Sequence, residues 1–460
     1  MTRFGRLSDR PVSFVVNGAR VVDPASGTDG PLDVAVRDGR LTDPAQLPPG
    51  TPTLDGHGLV VTPGLCDLHT HLREPGDEGA ETIQTGSRAA AHGGFTTICA
   101  MPNTRPPLDE PARVAWVAAR AVDASCRVRI VGSATRGREG EALADLAALR
   151  EAGVVAVSDD GAAIPSARLA RAALAELREL GIPLLEHAEE PTLGAGAVVR
   201  SGAVATRLGL PGWPASAELV VVERDIALAA ETGARLHLTH LSTAAAVAAV
   251  RRAKDAGVAV TCDVTPHHLA LTDAWVGGVR TFAWQQGEAD ELGAGATMPA
   301  ANAYDASCRV TPPLAHRDEA LALLAAVAEG TVDAIATDHA PHPPQRKEVP
   351  FAEAAPGMIG LQTALSLGLA AVEAGCVTLP RLIAALSTRP AAIIGEERSL
   401  AIGQPADLVV VDPGARWRTN ASALESRSAN SPLLGMELPG VVRLTVADGR
   451  VTWNDGLLPA

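Results

Sequence analysis

Lysine is almost missing from this chain: only Lys254 and Lys347 occur among 460 residues, the other basic side chains being arginine. No chemistry that depends on a lysine can therefore be sited before Lys254. Paired cysteines are missing too. Cys66, Cys99, Cys126, Cys262, Cys308 and Cys376 are scattered without a Cys-x-x-Cys pair, which argues against a disulfide framework or a structural zinc knuckle and reads instead as small buried apolar residues. No apolar run approaches membrane-spanning length. The stretch Met1 to Arg10 has no apolar core of the kind a signal peptide needs, so a cytoplasmic location is the expectation. With a formal charge of -14 and no Lys/Arg cluster, the chain offers no basic field for nucleic acid. An anionic small substrate would have to be met by local arginines.

What is present is the composition of a soluble globular protein, 47% hydrophobic and 20% charged, long enough for two domains. Residues 1–61 read as short alternating strands with Gly/Pro/Asp turns, among them Val12 to Val16, Ala19 to Val22 and Leu32 to Val36. Beyond His71 the texture becomes a beat of apolar strand, polar loop and alanine-rich helix. Strands are expected at Leu59 to Asp67, Phe95 to Met101, Val128 to Ser133, Val154 to Ser158, Ile182 to Glu186, Arg235 to Thr239, Val258 to Val264 and Val332 to Thr337. Between them lie helical patterns such as Arg168 to Leu180, with Leu169, Ala173, Leu177 and Leu180 on one face and a Gly181-Ile182-Pro183 stop. Eight such units point to a TIM-like (β/α)8 barrel over 62–393, an open doubly wound sheet being the alternative. From Ile394 strand texture returns at Ala406 to Asp412, Val441 to Val446 and Val451 to Trp453, so 1–61 and 394–460 are expected to form one small β-sandwich domain with the barrel inserted. The Gly- and Trp-rich interval 273–308 is either a lid over the barrel mouth or a disordered insertion.

His69 and His71, at i and i+2 where the first barrel strand ends, point to the same face and can converge on one metal ion. Other candidates fall at the same end of later strands: Asp159 and Asp160 on the fourth, Glu186, His187 and Glu189 on the fifth, His240 on the sixth, His267 and His268 on the seventh, Asp338, His339 and His342 on the eighth. In a barrel those ends share one rim, where catalytic groups sit. Histidines with carboxylates suit zinc, and this many suffice for two ions that activate water for amide hydrolysis, with a spare carboxylate on strand eight to shuttle the proton. His57 and His316 lie off the strand ends and read as solvated. His92 precedes Gly93-Gly94 and reads as a cap or surface residue; His237 reads as a core histidine, and His267 and His268 as braces of the rim.

The run Pro63-Gly64-Leu65-Cys66-Asp67-Leu68-His69-Thr70-His71-Leu72-Arg73-Glu74-Pro75-Gly76 resembles the class I bacterial dihydroorotases of the amidohydrolase superfamily. So do Met101-Pro102-Asn103-Thr104, Val264-Thr265-Pro266-His267-His268-Leu269, Ala336-Thr337-Asp338-His339-Ala340-Pro341-His342 and Arg427-Ser428-Ala429-Asn430-Ser431-Pro432, and the similarity covers almost the whole chain. The resemblance implies a reversible cyclisation of N-carbamoyl-L-aspartate to L-dihydroorotate in pyrimidine synthesis, with two zinc ions. It assigns His69, His71 and Asp338 to one ion, His187 and His240 to the other, and Asp160 to the bridge, the interval from Asp160 to His187 selecting Asp160 over Asp159. It makes Asp338 the general base and acid, and gives the substrate carboxylate to Arg73, Asn103 and His342.

Hydantoinases, dihydropyrimidinases and many allantoinases bridge their metals with a carboxylated lysine on strand four, a residue this chain lacks. The resemblance departs at Thr311-Pro312-Pro313-Leu314-Ala315, where the family has Asn-Pro-Pro-Leu-Arg. Thr311 can give one hydrogen bond to the substrate but not the two-sided pairing of an amide. Two rival expectations remain: a cyclic amidase acting on a hydantoin or allantoin, and a non-catalytic copy that scaffolds aspartate carbamoyltransferase. As partners the resemblance implies a small anionic substrate, and it allows a homodimer and association with that transferase; neither nucleic acid nor a membrane is expected.

Overall fold

The computed structural model describes residues 11–285 and 302–458. Eight parallel strands follow one another in space in the order of the sequence: Leu65–Thr70, Phe95–Ala100, Arg127–Ser133, Ala156–Ser158, Leu184–Glu186, Leu236–Leu238, Val260–Val264 and Ala334–Ile335. A doubly wound sheet would reverse its order at a switch point, and this one does not. Instead the first and last strands approach each other. Thr70 pairs in parallel with His339, and the His71 amide donates to the His339 carbonyl at 2.9 Å, so the sheet is a near-closed barrel.

The strands are apolar on both faces because both faces are covered. Small or slender side chains, Cys66, Leu68, Cys99, Val131, Ala156 and Ala334 among them, fill the barrel interior. The outer faces pack on the helices. Ala167–Leu180 shows how a helix is set there: Ser166 caps it by accepting from the Leu169 amide, and Gly181, at φ 70°, ends it. Its buried stripe is Ala170, Ala173, Leu174 and Leu177, with Leu169 and Leu180 only half-buried at the margins. The stripe is therefore turned slightly from the expected face, because alanine at 170 lets the helix lie close to the sheet while the bulkier leucines fit the edges.

The expected first strand, Leu59 to Asp67, is two strands. Val60–Pro63 pairs with Phe14–Asp23 and with Leu408–Arg418 in a second, mixed sheet, and only after Gly64 does Leu65–Thr70 enter the barrel. That second sheet joins both ends of the chain and also contains Thr28–Arg37, Arg40–Thr42, Thr53–Asp55, Glu437–Ala447 and Arg450–Asn454. It folds over one apolar cluster that draws Phe14, Val16, Val34 and Leu41 from the first part of the chain and Leu408, Val410, Leu444 and Val451 from the last. Its far ends meet: the Val12 amide donates to Gly449 at 3.0 Å, and the Ala406 amide to Gly39 at 2.8 Å.

All six cysteines are free thiols, five of them buried. Among the described residues no helix is long and apolar enough to cross a membrane. Of the interval 273–308, residues 286–301 lie outside the described residues, and with them the central part of the expected lid. Its flanks pack firmly: Trp275 is fully buried, and Phe282 stacks with its ring centroid 6.1 Å from that of Trp275 and lies tilted 5.1 Å from Trp284.

Gly64 is the step between the two sheets, its amide donating to Asp407 at 2.9 Å. A Cβ at this position would lie 2.2 Å from Thr96 Oγ1 and 2.8 Å from Thr96 Cβ, so only glycine lets the chain pass. Gly64→Ala is expected to destabilise the protein by about 1–3 kcal/mol through overpacking. Urea unfolding followed by circular dichroism measures it, and an unchanged midpoint would contradict the close approach.

Candidate metal centre

Where a parallel ladder ends, the last backbone amides lose their neighbours and need other acceptors. On this rim buried carboxylates fill that role. Asp67 accepts from the amides of Thr337 (2.9 Å) and His69 (3.2 Å), tying the first strand to the eighth. Asp159 accepts from the amide and hydroxyl of Thr135 after the third strand. Asp263 accepts from the His240 amide (2.6 Å) and from His237 Nε2 (2.8 Å). Each brace lies within a few residues of a candidate ligand or pairs directly with one. Burial raises the Asp67 carboxyl to about 7 even though Thr337 and His69 hydrogen bonds oppose the shift.

The side chains held in this way converge. His69, His71 and Asp160 form one group, and Asp160, His187 and His240 another, each with one ligand atom per residue and all within 4.8 Å of one another. Asp160 belongs to both. His69 Nε2 lies 3.1 Å from Asp160 Oδ1, and His187 Nδ1 and His240 Nε2 each lie 3.7 Å from the same oxygen. Asp338 Oδ1 stands 3.0 Å from His71 Nε2 and 3.6 Å from His69 Nε2. All six residues are buried, Asp338 being the most exposed at 7%. His240 (φ 40°), Asp338 (φ 45°) and Arg73 (φ 58°) adopt left-handed backbone that non-glycine residues rarely take, and such strain gathers at functional sites.

The donor set fits a cation. Asn103 Nδ2 donates to Asp160 Oδ2 at 3.0 Å, so its Oδ1 must accept from His71 Nδ1–H at 2.9 Å. His71 Nε2 is then a bare nitrogen turned towards two carboxylates, an arrangement that is repulsive without a positive charge between them. Burial and the neighbouring Arg73 also push the His71 pKa down, against taking a proton there. His69 Nε2 and Asp160 Oδ1 are buried without a hydrogen-bond partner.

The family model described as "Dihydro-orotase-like" matches residues 58–246. Among the most similar relatives, the dihydroorotase of Anaeromyxobacter dehalogenans is 45% identical over 445 residues, covering 96% of this chain and 98% of that protein. The dihydroorotase of Citrifermentans bemidjiense is 41% identical over 448 residues, covering 96% and 100%. The chain belongs to the dihydroorotase family. Solved structures share its fold: the L-hydantoinase of Arthrobacter aurescens superimposes with a TM-score of 0.81 at 23% identity over 98% of each chain, and a Thermus D-hydantoinase with 0.77 at 21% over 97% and 96%.

As a dihydroorotase family member the chain places its two lysines away from this centre. Lys254 Nζ donates to the Thr331 carbonyl (2.7 Å) and pairs with Asp333, while Lys347 Nζ donates to the carbonyls of Ala355 (2.7 Å) and Ala306 (2.9 Å). Arg73, Asn103, Thr311 and His342 all line the cavity of about 380 Å³ that also takes in His71, Asp160, His187, His240 and Asp338, together with Arg105 and Arg346, which the motifs did not single out. Arg73 Nε donates to the Pro341 carbonyl at 3.2 Å, and His342 Nε2 donates to the Pro356 carbonyl at 2.8 Å.

Most of the remaining histidines have partners away from these groups, His267 being the exception. His237 pairs with Asp263 and Thr261 in the barrel interior, and His268 joins Thr265 to the Pro312 carbonyl at 2.9 Å. His267 is buried with Nε2 unpartnered. His57 is exposed beside Asp55. His316 is half-buried rather than solvated, bonded to Asp273 (2.7 Å) and the Ser201 carbonyl (3.0 Å), and His92 stacks 3.8 Å from Trp453. Sequence reasoning missed Glu189 as a partner: its Oε2 lies 3.2 Å from His187 Nε2 and its Oε1 accepts from Trp213 Nε1 at 3.0 Å, which turns His187 Nδ1 towards His240.

Burial opposes charge on His69 and His187, but the Asp160 carboxylate overrides it and raises them to about 9 and about 10. Asp160 is correspondingly held well below the usual carboxylate range, against its burial, by His69, His187 and His240. At neutral pH the two imidazoles therefore carry protons that a metal ion must displace. Zinc added to chelator-treated protein is expected to release protons, and its apparent affinity to rise about tenfold per pH unit between 6 and 8 for each proton displaced. Calorimetric titration in buffers of different ionisation enthalpy checks this; a pH-independent affinity would refute it.

Proposed function

We propose that this chain is a dinuclear zinc dihydroorotase that interconverts N-carbamoyl-L-aspartate and L-dihydroorotate plus water in pyrimidine synthesis. The observation that carries the proposal is the single carboxylate, Asp160, shared by two histidine groups at the floor of a cavity that also presents Arg73. In this reading His69, His71 and Asp338 would hold one zinc ion and His187 and His240 the other, with Asp160 shared between the two groups. When bound, the ions polarise the scissile carbonyl and lower the pKa of water so that a nucleophile is available at neutral pH.

The chain's own groups do the rest. Arg73 and Asn103 hold the substrate carboxylate, with the fixed positive charge of Arg73 offsetting an acidic protein, and His342, whose Nε2–H is spent on the Pro356 carbonyl, joins them once Nδ1 is protonated. Since Asn103 spends one end of its amide on His71 and the other on Asp160, it links the carboxylate pocket to the ligands as well. Asp338 is ionised at neutral pH: burial disfavours its charge, but the positive charge of His69 holds its pKa well below the usual range. It takes the proton of the attacking water as the new C–O bond forms and passes it to the ring nitrogen as the C–N bond breaks. Cyclisation runs the same proton path backwards. Thr311, on the cavity wall, offers the substrate ring one hydrogen bond where an amide would offer two.

Residues 62–393 carry the chemistry in this reading, and 1–61 with 394–460 form a supporting domain; the location is the cytoplasm, and a homodimer and docking to aspartate carbamoyltransferase complete it. The absence of a lysine near Asp160 counts against a hydantoinase or allantoinase, and six buried ligand residues count against a non-catalytic scaffold. Two measurements test the proposal. Asp338→Asn should lower kcat about 10²–10⁴-fold in both directions, and a rate within threefold of the parent would remove Asp338 from its role. Thr311→Asn should lower KM for dihydroorotate about three- to tenfold, the worth of one added hydrogen bond, whereas a gain on hydantoin or allantoin instead would favour the other cyclic amidases.

A further inference from the structure

The segment Arg427 to Pro432 belongs to the connection between strands Leu408–Arg418 and Glu437–Ala447 of the terminal sheet, yet it lies across the barrel rim. Its Ser428 hydroxyl donates to the Ala80 carbonyl at 2.7 Å, and its Arg427 amide to Glu81 at 3.1 Å. Two residues later Asn430, 6% exposed, spends its whole amide on backbone. Nδ2 donates to the carbonyls of Ala340 (3.0 Å) and Gly357 (3.1 Å), and Oδ1 accepts from the His342 amide (3.0 Å). The Asn430 carbonyl accepts from Ile359 at 3.1 Å.

Ala340, His342 and Gly357 all line the cavity. They belong to two loops pressed together so tightly that a Cβ on Gly357 would lie 2.6 Å from Ala340 Cβ and 3.1 Å from His342 Nε2. Neither loop can supply the groups that Asn430 satisfies, because Ala340 N is already given to Met358 and Gly357 N to Arg309. Without Asn430 two carbonyls and one amide would be stranded without partners in a buried wall. We infer that Asn430 is a positioning residue for the substrate-carboxylate pocket: it clamps the 340–342 loop to the 357–359 loop and thereby fixes His342 opposite Arg73. The terminal sheet is in this way a structural part of the binding pocket.

The inference rests on the dihydroorotase reading only for the identity of the bound carboxylate. The test compares Asn430→Asp, which keeps size and the acceptor but loses both donors, with Asn430→Ala and with Ser428→Ala, which loosens the same segment at a different loop. Both Asn430 variants should raise KM for carbamoyl-aspartate and dihydroorotate about tenfold or more, with kcat changed less than threefold and zinc content unchanged. Ser428→Ala should lower the melting temperature and leave KM alone. Hydrogen exchange read by mass spectrometry should show peptide 339–343 less protected in Asn430→Ala. Unchanged KM in the Asn430 variants, or an equal KM rise in Ser428→Ala, overturns the inference. If the parent protein turns over neither compound, the dihydroorotase reading fails instead, and retained protection of 339–343 in Asn430→Ala then decides against the clamp.

Discussion

A carboxylate taken out of water must find positive charge, and the rim of this barrel is built around meeting that demand at Asp160. Four histidines from the ends of three strands and one carboxamide face it, and two of those imidazoles take up protons well above their ordinary range because of it. Protons are an incomplete answer. They leave His71 Nε2 facing carboxylates as a bare nitrogen, whereas divalent ions would satisfy the whole set at once. The carboxylates one layer further out, Asp67, Asp159 and Asp263, are spent on backbone amides at strand ends and so keep the converging side chains in place.

The barrel and its rim were legible because both are written locally. Parallel strands buried on two faces must be apolar runs, and a polar residue of metal-binding type at the end of six of the eight runs marks the same edge. Long-range and close-contact features were not legible. Nothing in Pro63-Gly64 alone tells that the chain changes sheet there, since the reason is the side chain of Thr96, thirty-odd residues on. His92 resembled a surface cap because its cover, Trp453, comes from the last strand. Glu189 stood next to a candidate ligand, but its tie to Trp213 depends on the short pairing of Val199–Arg200 with Gly212–Trp213. Asn430 lay in a recognisable motif whose task appears only when the two loops it joins are seen side by side.

The terminal sheet contributes more than bulk. Its strand Val60–Pro63 feeds directly into the first barrel strand, so the position of His69 and His71 is inherited from a sheet that needs both ends of the chain to close. On the opposite side the segment around Asn430 returns from the same sheet to the eighth strand. The first and eighth strands, where the barrel closes through Thr70 and His339, are thus each held from outside the barrel.

The left-handed backbone at Arg73, His240 and Asp338 has a consequence for how this protein can change. Glycine at any of the three would relax the main chain, by roughly 1 kcal/mol or more, and would delete a guanidinium, an imidazole or a carboxylate from the cavity. Selection for thermal robustness and selection for turnover therefore pull in opposite directions at these sites. The main-chain strain at these three positions is therefore the cost of holding a guanidinium, an imidazole and a carboxylate at the edge of one cavity.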